Sequence, residues 1–537
     1  MTVTATVVPL LSTRYLPFTD LPEHVAAMAT ISRWFDHASG DAATYDIAFG
    51  RSQYLLYHAA GALLTVATHD AILANRLLLV GIAVALPLSV RAALRALGRD
   101  EALSILACMP FLSRPLFVGF LPYIASFPLY FLGIALVVRR ATETRRRRRS
   151  AVLLALLALA LCYTHLSALV VFVTTAAALD VLFAARTASG PWSLLGWILT
   201  RSRSLAWLLP VSLLTAAWSL AGRITLRGES LLQPGEIGKM DLMRSIHALP
   251  LWAFDIFRSH LDEICGGVWW TSLAALAVLG ARGRQSVSPT IPSAVEPEPR
   301  PFVLRLLARL DPAYAPLLSV LAIYFITPFR IGAGGMLNVR LAPLVAMTAT
   351  LTVGRSRGAL RTAALAVVAL TTLVHAGNAT FEIRALAREH MADFDNILAA
   401  MRPDTRLVTL AFDPRRNRTH FDPYPFAGSY HRARGGRVAS YSFSDLPHWP
   451  VQFRSQERPP AKRIPLWIYA PCEYRHGIDG PYYDYVLVSG GVDPFAAHPT
   501  GPVFRETVRG SGFVLYEKVP GQSWVKSPED SGGPCPP

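Results

Sequence analysis

"AVLLALLALALCYTHLSALVVFVTTAAALDVLF", residues 151–183, decides the architecture of this chain, because Asp180 is its only formally charged residue. Runs of 18 or more apolar residues read as membrane-spanning helices. This run leaves an arginine block at 145–149 and ends just before Arg186, so it has room to cross and return. It reads as two short helices turning near Thr164-His165.

Composition extends that reading to the whole chain. Hydrophobic residues make up 52% of the 537 and charged ones 16%, with positive mean hydropathy. A soluble globular protein carries about 25% charged residues. The net charge of +16 does not point to nucleic acid, because the arginines stand between apolar runs: 139–149, 186–204, 282–284 and 355–361. That is how cytoplasmic loops of multi-pass membrane proteins look, so no nucleic-acid partner is expected. The five cysteines show no CxxC or Cys/His ligand spacing, which argues against a disulfide scaffold or a zinc site. "MTVTATVVPLL" is apolar but short and has no signal-peptide features; it reads as the end of a first membrane helix cut short by the choice of start codon.

With the arginine clusters as cytoplasmic markers, 205–222 crosses outward, 223–261 is an external loop and 264–280 returns. Residues 282–301, rich in Pro and Ser, form a disordered cytoplasmic linker. Then 314–329, 341–353 and 362–376 cross in turn. Four apolar segments lie upstream (54–68, 71–90, 102–112 and 117–138), and an external opening loop requires an odd number to cross. Either 102–112 or 54–68 is short enough to fail. After residue 378 the texture changes. An amphipathic helix at 381–401 and strands at 405–412, 484–490 and 504–519, the last a hairpin turning at 509–512, read as a small α/β domain. The expected fold is mainly α: a polytopic transmembrane helical bundle over 1–377 with an external loop at 13–51, an extracytoplasmic α/β domain over 378–525, and a flexible tail at 526–537.

The external loop holds the densest polar cluster. In "LPFTDLPEHVAAMATISRWFDH" (16–37), Pro22 suits a first helical turn and Asp20 could cap it. His24 follows Asp20 by four residues, within side-chain reach. Val25, Met28, Ile31 and Phe35 recur at helical spacing, as in a helix lying flat on the membrane surface. The cluster therefore reads either as a helix cap with a solvated face, or as a carboxylate at the membrane surface acting as general base, with His24 orienting it or helping to bind an anion. Arg340, after a glycine-rich "RIGAGGMLN" that includes Gly332, Gly334 and Gly335, has a fork suited to phosphate; the plain alternative is a side chain snorkelling to lipid head groups. His165 in its apolar run and Arg114 in "FLSRPLFVGF" have the same two readings, ligand contact or interfacial anchor. Trp269-Trp270 read as interfacial aromatics, and 415–426 and 430–437 as solvated loops or an acceptor surface.

The acidic motif before a surface helix resembles the first external loop of the C-type (GT-C) membrane glycosyltransferases, multi-spanning enzymes that use polyprenyl-phosphate sugars. "GFLPYIASFPLYFLGIALVVRR" (119–140), "CYTHLSALV" (162–170) and "GGMLNVRLAPLV" (334–345) resemble helix entrances and an arginine-ending loop of bacterial members, as does the external α/β domain. Many relatives have an adjacent Asp-Glu pair in this loop; here Asp20 and Glu23 are two residues apart. The resemblance implies hexosyl or pentosyl transfer from a polyprenyl-phosphate sugar donor to an extracytoplasmic glycan or lipid acceptor, in the bacterial cell envelope. Asp20, Glu23 and His24 would be catalytic, and Arg340, Arg114 and His165 would bind substrate. It implies an integral inner-membrane, multi-pass protein in contact with the lipid bilayer. It names no certain cofactor and leaves a divalent metal open. A transporter or flippase for lipid-linked glycans and a non-catalytic membrane scaffold are the competing classes. The flippase class predicts ionisable residues in mid-helix and inverted repeats, and the sequence shows neither.

Overall fold

The computed structural model describes residues 1–50, 52–142, 147–187, 205–225, 237–285, 307–331, 335–412, 417–440, 442–446, 448–454, 456–457, 459, 470–490, 493–495 and 503–521. The expected linker beyond Gln285, the tail 526–537 and two of the glycines before Arg340, Gly332 and Gly334, lie outside the described residues.

The longer helices are α1 (Thr2–Leu11), α2 (Leu21–Arg33), α3 (Leu55–Thr68), α4 (Ala71–Ala96), α5 (Leu121–Thr142), α6 (Arg147–Thr164), α7 (Leu166–Thr187), α8 (Leu209–Thr225), α9 (Leu242–Trp252), α10 (Leu261–Gln285), α11 (Tyr314–Ile326), α12 (Ala342–Leu351) and α13 (Ala359–Met391). Of these, α4, α5, α7, α10 and α13 are long and apolar enough to cross a membrane. The stretch 151–183 is two helices breaking at His165; α5 packs on both, and against α7 Tyr130 Oη lies 3.0 Å from Thr175 Oγ1 and the Phe172 ring fills the space left by Gly133.

The bundle has two distinguishable ends. At one, Arg99 pairs with Asp311, Arg361 with Asp100, and Arg186 donates to Leu310 O at 2.9 Å. At the other, Arg14 pairs with Asp70 at 3.0 Å and Tyr15 Oη donates to Asp395 at 2.7 Å. The upstream parity follows from these contacts. Helix α3 follows Tyr54, which lies beside His448 and Trp449, and is followed by Asp70, which pairs with Arg14, so both its ends lie at the second end and it does not traverse the bundle. Residues 101–111 do traverse it, as a 3-10 helix, Glu101–Ala107, and a single α turn. Because 3-10 geometry rises about 2.0 Å per residue, few residues suffice. Irregular backbone at membrane depth is tolerated where protein satisfies it; here Trp269 Nε1 donates to Leu106 O at 3.1 Å, and His375 Nε2 to Leu112 O at 2.9 Å.

A single helix, α13, runs through residue 377 into the C-terminal region, where Phe394–Ala400 follows as a separate turn. There β1 (Tyr45–Ile47) from the opening loop pairs antiparallel with β4 (Val451–Phe453). The main sheet has the order β3-β2-β5-β7-β6, with β2 Arg406–Ala411, β3 Val438–Ala439, β5 Tyr485–Ser489, β6 Phe504–Arg509 and β7 Phe513–Lys518. Strand β2 is parallel to β3 and β5, and β6-β7 form the expected hairpin. The membrane bundle with a small C-terminal α/β domain thus has the form anticipated from sequence.

Helix α2 departs from the surface-helix expectation. Residues 21–31 are all buried, packed between α3 and the short helix Ser429–Ala433 of the C-terminal region. The end of α2 is tied to the domain by Arg33, which donates to the carbonyls of Arg432 and Ala433 and to Asp41 of its own loop, each at 2.8 Å.

Candidate active site

The loop before α2 is fixed atom by atom. Thr19 N–H donates to Phe117 O at 3.0 Å, Asp20 N–H to Val118 O at 3.2 Å, and Thr19 Oγ1 to Asp422 O at 2.7 Å. Gly119 sits at φ +97°, a conformation that L side chains avoid. A Cβ there would meet Asp20 N at 2.6 Å. Asp20 is the residue before α2, yet its side chain makes no capping hydrogen bond. Burial pushes its carboxyl up to about 7, against the pull of Arg340 and with a further push from Glu23.

Arg340 reaches the same place from the short 3-10 helix Val339–Leu341 that opens α12. Its guanidinium lies over the Phe120 ring at 3.8 Å, and one Nη donates to Gly335 O at 3.3 Å. Its buried Nε has no hydrogen-bond partner. Tyr54, Tyr123, His165 and His448 are its polar neighbours, each close enough to interact with it electrostatically. The Tyr54 ring lies 5.2 Å from that of His165 and 5.5 Å from that of His448. Three separated candidates, Asp20, Arg340 and His165, therefore come together electrostatically, with Arg340 in range of both the others.

The other candidates lie elsewhere. The Glu23 carboxylate accepts from Ser429, from Ser442 Oγ at 3.2 Å and from Phe443 N–H at 2.9 Å, and pairs with Arg432 at 3.5 Å. Both partners of that ion pair are fully buried. The His24 Nε2–H donates to Gly119 O at 3.0 Å, and its Nδ1 lies 3.0 Å from His58 Nε2, so it braces the Asp20 loop from behind. Arg114 donates to Asp255 at 2.7 Å. Trp269 is buried in the core rather than at a lipid boundary. Tyr54, Tyr123 and His448 had no signal in the sequence, since a tyrosine before a helix and a histidine in a proline-rich loop are ordinary there.

The overall fold is similar to that of a solved membrane-protein structure, ArnT from Cupriavidus metallidurans. The match is to its crystal structure bound to undecaprenyl phosphate (TM-score 0.51, 11% identity, 96% of this chain and 97% of that one). The apo structure of the same protein matches at TM-score 0.50, with 12% identity and 96% of each chain covered. An Archaeoglobus fulgidus oligosaccharyltransferase, crystallised with Zn and sulfate, matches at TM-score 0.41 and 11% identity, over 91% of this chain and 67% of that one. No known family model and no curated protein matches the sequence.

Proposed function

We propose that the chain is a membrane glycosyltransferase that moves a sugar from a polyprenyl-phosphate donor to a hydroxyl acceptor. The observation that supports it most is the Asp20–Arg340 juxtaposition: a carboxylate released from capping beside a guanidinium with an unused donor. Asp20 takes the proton of the acceptor hydroxyl, and that oxygen attacks the anomeric carbon. The bond from that carbon to the phosphate oxygen breaks, the polyprenyl phosphate leaves with the electron pair, and Arg340 offsets its charge. A base with pKa near the working pH combines availability with proton-accepting strength. The undecaprenyl phosphate bound in the ArnT crystal structure is a ligand of the class this site would take.

We take residues 1–377 as the membrane domain, 378–525 as the α/β domain, and the site end of the bundle as extracytoplasmic in the inner membrane. The arginine clusters at the opposite end support this orientation. So does Cys472 of the α/β domain, which is disulfide-bonded, since disulfides persist in oxidising compartments. Sugar transfer in membranes supplied with a polyprenyl-phosphate sugar tests the reading: wild type transfers, and Asp20→Asn falls by about 100- to 10,000-fold. Full activity in Asp20→Asn would remove Asp20 from the mechanism.

A further inference from the structure

A second polar cluster lies on the far side of Phe117, whose ring packs on Phe18 at 4.9 Å and on Phe257 at 5.2 Å. There the loop between α9 and α10 pairs with the C-terminal region. Phe257 bridges Thr419, Arg258 N–H donates to Arg418 O at 2.9 Å, and His420 N–H to Ile256 O at 3.1 Å. This pairing holds His420 against the carboxylates of the loop.

His420 Nε2 stands 3.2 Å from Asp255 Oδ1, but both atoms are buried without a hydrogen bond. A carboxylate oxygen of Glu263 completes a trio of donor atoms within 4.8 Å of one another. Both carboxylates have orienting partners: Arg114 at 2.7 Å on Asp255 Oδ2, and His260 Nδ1 at 2.8 Å on Glu263. Such outer partners are what fix metal ligands in direction. Asp262, entirely buried, accepts the Ile256 and Phe257 amides at 2.6 and 2.8 Å on Oδ2, while its Oδ1 has no hydrogen-bond partner. Of these three carboxylates Asp255 alone has an arginine partner, Arg114, so the cluster carries negative charge suited to a divalent cation.

We propose that Asp255, Glu263 and His420 bind a zinc ion that ties the C-terminal domain to α10. Imidazole nitrogen and carboxylate oxygen are both zinc ligands, with bonds of about 2.0–2.2 Å. Bonds of about 2.0–2.1 Å in a tetrahedron place neighbouring donors roughly 3.3 Å apart, close to the His420–Asp255 separation. The fourth position is left to water. No step of the transfer proposed for Asp20 depends on this site.

The test uses the full-length protein in detergent, stripped with EDTA and titrated with ZnCl2 by calorimetry, with bound zinc counted after gel filtration. The expected result is one zinc per chain and a higher unfolding temperature with zinc. His420→Asn and Glu263→Gln should each weaken binding by at least about tenfold while leaving the metal-free unfolding temperature at the wild-type value. If His420→Asn lowers that temperature, Glu263→Gln alone decides, since its side chain is partly exposed. Wild type that retains no stoichiometric zinc, or a deciding variant that binds as wild type does, would overturn the site.

Discussion

Gly119 and Asp20 are packed backbone against backbone: the Cβ that any other residue would place at 119 falls 2.7 Å from Asp20 Cβ. The carboxylate therefore owes its position to the absence of a side chain one loop away. Gly119→Ala forces a left-handed conformation on a residue with Cβ, at about 1–2 kcal/mol, and displaces Asp20. A shift of 1 Å in a reacting group can cost about 100-fold in rate. Transfer should fall by that order, while the protein still purifies as a single folded species by gel filtration.

The Glu23–Arg432 pair joins α2 to the C-terminal domain, and Arg432 also lies over the Tyr45 ring at 4.7 Å. Removing one partner of a buried ion pair leaves the other uncompensated, at about 3–5 kcal/mol. Glu23→Ala should lower the unfolding temperature markedly. Glu23→Ala/Arg432→Met should recover part of that loss, a pattern a directly catalytic Glu23 would not produce in thermal melts.

How much of this was legible in the sequence depends on range. Helix positions, the hairpin at 509–512 and the turn at His165 came from local hydropathy and turn chemistry, which each segment contains within itself. Which short apolar segment fails to traverse the bundle was not legible, because 55–68 and 101–111 differ in their end contacts rather than in composition. Asp20 and Arg340 stood out by chemical type, but their approach requires the packing of the helices from α2 to α11 that lie between them. Glu23 looked as available as Asp20, since its partners Arg432, Ser442 and Phe443 lie some four hundred residues away. The Asp255–Glu263–His420 cluster had no spacing signal for the same reason.

Sidedness can be read directly. Residues 38 and 507 are exposed at the site end, and Arg357 is exposed at the arginine end. With the native cysteines replaced, Ala38→Cys and Thr507→Cys should react with a membrane-impermeant maleimide in spheroplasts, and Arg357→Cys only after lysis. Opposite labelling of positions 38 and 507 would separate the opening loop from the C-terminal domain and dismantle the shared site.

Arg340→Lys exchanges a planar fork for a point charge, and phosphate then loses its bidentate contact. Binding of undecaprenyl phosphate, followed by native mass spectrometry, should weaken by roughly tenfold, equivalent to about 1.4 kcal/mol. His165→Asn, which keeps a polar group beside Tyr54, should change binding less. Equal binding by wild type and Arg340→Lys would make Arg340 a lipid-anchoring side chain.

The Asp20 carboxyl, raised by burial to about 7, ties activity and stability together through pH. A general base acts only when ionised, so the transfer rate at low substrate should rise through about pH 7 and level off above it. Stability runs the other way. The folded state holds this proton more tightly than the unfolded chain, so Asp20 favours folding below the unfolded carboxylate pKa. That contribution fades as pH rises, and is gone above the folded value near 7. Asp20→Asn keeps the shape without the charge, and should therefore melt higher than wild type at pH 8 and close to it at pH 4. Differential scanning fluorimetry at the two pH values gives the comparison, with a gain of a few degrees expected for about 1 kcal/mol. An Asn variant that melts lower than wild type at pH 8 would mean that the ionised carboxylate is satisfied in the fold, and a stabilised carboxylate would be a poor base.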